Sequence, residues 1–151
     1  SDLKPRFLTI HASGGREMIQ AAALAGLDIE ITAVTILTSL NQQDLKEIGF
    51  TGSTLERATE LAKLSVSAGA RAIVCSPLEI TAIRSAIPPE ISIITPGIRP
   101  IDQSKSDDQK RTMDPKGALN AGANYLVIGR PITAAKDPSE AAKSILESTL
   151  S

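Results

Sequence analysis

Along this chain, short apolar runs rich in β-branched residues alternate with stretches whose apolar positions recur at helical spacing. Five runs predict strands: Phe7–Ile10, Ile29–Leu37, Ala72–Cys75, Ile91–Thr95 and Tyr125–Ile128. Each is near-continuously apolar rather than alternating, the pattern of parallel strands covered on both faces. The segments between them carry helix punctuation. Ser53 and Glu56 form a capping box that opens a helix to about Ala68, with Leu55, Ala58, Leu61, Ala62 and Val66 on one face. Ser76-Pro77-Leu78-Glu79 repeats the device with proline at the first helical position, and Asp114-Pro115 and Asp137-Pro138 open two later helices. Gly26, Gly69 and Gly122 each follow an alanine, where a helix takes a left-handed stop. The recurrence "LAGLDIEI", "SAGARAIV", "NAGANYLV" is therefore a repeated helix–glycine–strand joint, which predicts serial β/α units with right-handed crossovers.

Two connections exceed a joint. Residues 38–53 contain a predicted short helix from Asn41 to Ile48. Residues 96–113 are polar and aperiodic, and they read as a loop that closes over something. Five strands also fall short of a closed (β/α) barrel, which needs eight and about 250 residues. The expected fold is α/β, either a smaller open sheet or the later part of a barrel, with residues 1–151 as a single domain.

Composition narrows the function. A net charge of -1 supplies no general attraction to nucleic acid or to an anionic membrane. Phe7, Phe50 and Tyr125 are the only aromatic residues, too few for a single-strand stacking platform. One cysteine, Cys75, excludes an internal disulfide framework and fits a reducing, cytoplasmic setting. No run reaches the length of a membrane span, and no secretory pattern stands at Ser1. One histidine and one cysteine cannot build a closed metal site, and Gly14-Gly15 lacks dinucleotide-fingerprint spacing, so neither a metal nor a cofactor is expected.

Parallel strands bring their C-terminal ends to one face, where ligands bind in α/β sheets and barrels. The residues there are His11, Thr38-Ser39, Cys75-Ser76, Pro96-Gly97-Ile98-Arg99 and Gly129-Arg130. Two arginines at consecutive strand ends, each close to a glycine, are the informative pair. Glycine admits close approach to the backbone, and arginine presents a planar fork to phosphate. The competing reading pairs Arg99 and Arg130 with carboxylates such as Asp102 or Asp137; spacing favours phosphate. His11 reads as a structural or rim residue, and Cys75 as a small buried hydrophobe rather than a nucleophile.

Six segments in order, "LTIHASGG", "AVTILTSL", "IVCSP", "TPGIRP", "DDQKR" and "YLVIGRPI", resemble the orotidine 5′-monophosphate decarboxylase family over essentially the whole chain. The resemblance implies a TIM-type barrel, of which about the last five of eight units are present. It also implies a homodimer without metal or organic cofactor, working in uridylate synthesis. It assigns Arg99 and Gln109 to a phosphate gripper, Gly129 and Arg130 to the phosphate site after the final strand, and Thr38 and Ser39 to the ribose and pyrimidine side. Orotidine or uridine monophosphate is the implied ligand; a sugar phosphate is the rival. The family's Asp-x-Lys-x-x-Asp array is missing. Asp2-Leu3-Lys4 runs into Pro5-Arg6 with no second aspartate, so no catalytic residue is assigned here. The expected product is the recognition half of a site: inactive alone, or a non-catalytic fragment whose open edges favour association with itself or with further barrel units.

Overall fold

A computed structural model describes residues 3–100 and 111–150. Among the described residues five strands form one sheet in the order of the chain, β1 (Phe7–His11), β2 (Glu30–Val34), β3 (Ala72–Val74), β4 (Ser92–Thr95) and β5 (Tyr125–Leu126), and every pairing is parallel. The connections carry α1 (Gly15–Ala25), α2 (Gln42–Glu47), α3 (Thr54–Ser67), α4 (Ile80–Ala86), α5 (Pro115–Asn120), α6 (Arg130–Thr133) and α7 (Pro138–Leu150). A strand that pairs with its immediate predecessor, in parallel and with helices between, is the repeating unit of a TIM-type barrel.

The core lies between the sheet and its helices. Ala33, Ile73 and Ile93 stand in register across β2, β3 and β4, all fully buried, against Ala58 and Ala62 of α3 and Ile80 and Ile83 of α4. Alternation turns the next row, Thr9, Thr32, Ala72 and Ser92, to the other face. That face carries small and polar residues in this row and the apolar row Val34, Val74 and Ile94 beyond it, while aromatic side chains stand at the strand starts. There Phe7 of β1 and Tyr125 of β5 meet edge to face with ring centroids 5.2 Å apart. Arg6 lies over both rings and donates from Nε to Glu30 at 2.8 Å. The sheet is thus curled enough for side chains of its two edge strands to touch.

The predicted elements appear with shifts that have local causes. The capping box of Ser53 and Glu56 is formed, and so is that of Ser76 and Glu79, although the latter opens a 3-10 turn (Pro77–Glu79) before α4. Gly69 and Gly122 take positive φ as expected, but Gly26 does not; it ends α1 at φ -110° with its N–H on the Ala22 carbonyl. Coverage on both faces holds for the central strands only, since Leu8, Thr9 and His11 of edge strand β1 are exposed. β5 shrinks to two residues, and the glycine-arginine turn after it opens α6, a helix the apolar pattern does not reveal.

Candidate functional site

The C-terminal ends of the strands are built loop by loop. After β2, Thr35 fastens the chain to β3, its N–H and its hydroxyl both donating to the Val74 carbonyl, at 3.1 and 2.9 Å. A turn closed by the Leu40 N–H on the Leu37 carbonyl (3.0 Å) follows, and then α2. Asn41 caps that helix, accepting from Gln43 and Asp44 N–H groups while Asp44 accepts from the Asn41 N–H. Thr38 and Ser39 sit inside this braced turn, Thr38 buried and Ser39 exposed.

After β4 the chain turns through Gly97, whose φ of +78° suits a residue without Cβ. Ile98 then pairs in parallel with Met113, through Arg99 N–H to the Met113 carbonyl at 3.0 Å and Met113 N–H to the Gly97 carbonyl at 3.4 Å. This bridge holds residues 97–99 against Met113. Arg99 is only 8% exposed and donates from Nη1 to the Ile98 carbonyl at 2.8 Å. Gln109 and Asp102 lie outside the described residues.

After β5, Val127 N–H still reaches the Thr95 carbonyl at 2.9 Å, and Gly129 then accepts from Ile132 and Thr133 N–H groups as α6 begins. Arg130 is the first residue of that helix and is exposed; Pro131 behind it is buried. A Cβ built at Gly129 would meet no atom within 4 Å, so the space beside this backbone is open. Because β4 and β5 are neighbours, the loops bearing Arg99 and Gly129-Arg130 are adjacent. Asp137, proposed as a partner for Arg130, caps α7 by accepting from the Glu140 N–H at 3.0 Å. His11 is exposed at the end of β1.

One constellation escapes sequence reading. Arg111 donates from Nη1 to Glu79 Oε1 and from Nη2 to the Leu37 carbonyl at 2.8 Å. The other Glu79 oxygen accepts the Ser76 N–H at 3.0 Å. Both side chains are buried, Glu79 to 1% exposure, and burial raises the Glu79 pKa against the opposing pull of Arg111 and the Ser76 N–H. Residues 32 apart in sequence give no periodic signal for such a contact. The only local hint is a capping-box glutamate set between Pro77 and Ile80. Beside it Cys75 is buried and its thiol is pushed up to about 12, first by burial and then by the Glu79 charge, which favours the protonated thiol. Among the described residues no group of three or more His, Cys, Asp or Glu side chains stands close enough to hold a metal ion.

Parallel β/α units with glycine- and arginine-bearing loops gathered at the C-terminal strand ends define the TIM-barrel class. The comparisons narrow it. The sequence profile described as "Orotidine 5'-phosphate decarboxylase / HUMPS family" matches residues 1–145, and the chain belongs to that family. It is 48% identical over 143 residues to the orotidine 5'-phosphate decarboxylase of Thermobifida fusca, covering 95% of this chain and 61% of the relative. With the Frankia casuarinae enzyme of the same name it shares 47%, covering 95% and 52%. The crystal structure of orotidine 5'-phosphate decarboxylase from Lactobacillus acidophilus superposes with a TM-score of 0.81 at 32% identity, over 96% of this chain and 63% of that one. The chain thus spans between about half and two thirds of the length of these relatives.

Proposed function

We propose that this chain carries the phosphate- and pyrimidine-recognition part of an orotidine 5′-monophosphate decarboxylase. Arg99 and Arg130 receive the phosphate with Gln109, the open Gly129 backbone admits it closely, and Thr38 and Ser39 meet the ribose and pyrimidine. The observation that carries this reading is the clustering of the Arg99 and Gly129-Arg130 loops on adjacent strand exits, with open space at Gly129. A guanidinium held against a dianion in a low-dielectric mouth makes short charge-assisted bonds. Binding energy from that non-reacting group lowers a barrier only if proton-transfer groups stand at the other end of the substrate. No Asp-x-Lys-x-x-Asp array occurs anywhere in the 151 residues, so the stretch alone binds uridylate but does not turn over orotidylate. The open edges of β1 and β5 suit association with further barrel units or with a second copy.

Calorimetric titration with uridylate tests the reading. Binding by the chain, and its weakening by about 2–3 kcal/mol in Arg130→Ala as a charged hydrogen bond is lost, are expected. An unchanged affinity in that variant refutes the phosphate assignment. An absorbance assay showing turnover of orotidylate by the chain alone refutes the inactivity.

A further inference from the structure

The Glu79–Arg111 pair has no part in the contacts proposed for the nucleotide, yet it is the most deeply buried ion pair among the described residues. Taking two opposite charges out of water costs more than an apolar pair of the same volume, so stability alone does not account for it. Its connections do. Arg111 reaches the Leu37 carbonyl, one residue before Thr38, on an oxygen that also closes the Leu37–Leu40 turn. Glu79 holds Arg111 with one oxygen and the Ser76 N–H at the β3 exit with the other. Two residues beyond Arg111, Met113 accepts the Arg99 N–H and donates to Gly97. One buried pair therefore ties the exits of β2, β3 and β4 together.

We infer that Glu79 and Arg111 are positioning residues that set the Thr38-bearing turn and the Arg99 backbone relative to each other. This inference deepens the proposed function and rests on it for the identity of the ligand, though not for the geometry. The fork is essential: one guanidinium nitrogen takes the carboxylate while another takes the carbonyl, a division the single ammonium of lysine cannot reproduce at the same angles. A carboxamide at position 79 can still accept from the Ser76 N–H but loses the charge that anchors Arg111. Both changes keep the side-chain volume, and the amides at the strand starts report whether the sheet itself stays assembled.

Amide hydrogen exchange on ligand-free protein reads the positioning, with Glu79→Gln, Arg111→Lys and their combination compared against the parent chain. The Leu40 and Arg99 amides, which report the two exits, should exchange roughly tenfold faster in each variant. The Glu30 and Ile93 amides, held at the opposite end of the sheet by the Arg6 carbonyl and the Asn124 side chain, should keep their rates. Uridylate affinity should fall about tenfold in either single variant and little further in the double, as members of one unit are non-additive. Equal acceleration at all four amides would reduce the pair to general stability and overturn the inference, as would unchanged exchange at Leu40 and Arg99. Selective acceleration in a chain that takes up no uridylate would keep the positioning role and remove the nucleotide.

Discussion

The two ends of the sheet handle charge in opposite ways. Where the strands start, Arg6 and Glu30 pair at 2.8 Å with side chains 61% and 25% exposed, over the rings of Phe7 and Tyr125. Where the strands finish, Glu79 and Arg111 pair with side chains 2% and 10% exposed, and Arg99 is buried nearby in the chain's path. Water screens the first pair, whose strength fades with salt. The second is cut off from water, so each partner depends on the other. A fold that needed only cohesion would reverse the arrangement, putting apolar groups in the dry place. Dry charge thus stands at the loop-bearing end, where the proposed site lies.

The largest test removes one dry partner. Arg111→Met leaves Glu79 buried and unanswered and should cost about 3–5 kcal/mol in denaturant unfolding; a loss no larger than that of an exposed pair would erase the contrast. Next comes Cys75, which lies at the same end. Its folded pKa of about 12 exceeds the ordinary 9.0, so the folded chain holds the proton more tightly than the unfolded one. Its contribution is complete below pH 9 and is lost as pH climbs towards 12, by up to about 1.4 kcal/mol per unit. Unfolding curves measured across that range should therefore converge for the parent and Cys75→Ala as pH rises, and parallel curves would contradict the burial. The smallest effect belongs to the wet end. Arg6→Ala should shift the melting temperature less than either change above, and the shift should shrink further when salt is raised. A large, salt-insensitive shift would show that the ring contacts, not the charge, hold that end.

Much of this organisation is legible in the residues, for reasons that are local. Parallel strands buried on a helix-covered face need apolar β-branched residues whatever their partners, so Ala72–Val74 and Ser92–Thr95 stand out within the predicted runs. Capping boxes are decided within four residues, which is why Ser53 and Ser76 mark their turns correctly. Strand length is different, because it depends on how far the neighbour extends: β2 closes at Val34, where β3 also stops pairing, although its apolar run continues to Leu37. The placement of Thr38, Ser39, Arg99, Gly129 and Arg130 at strand exits follows from the same alternation. The Arg111–Glu79–Leu37 contact does not, since it joins three loops that only the assembled sheet brings together. Arg111 in the sequence is one more cation in a polar stretch.

The strand order has a kinetic corollary. Because β1 to β5 pair in the sequence in which they are made, each new β/α unit can dock on the one just finished, closing a modest loop every time. The Phe7–Tyr125 contact stands outside this series, for it joins β1 to β5, which are not neighbours in the sheet. Fluorescence of Tyr125, the sole tyrosine, would then report the approach of β5 to β1 separately from the pairing of neighbouring strands.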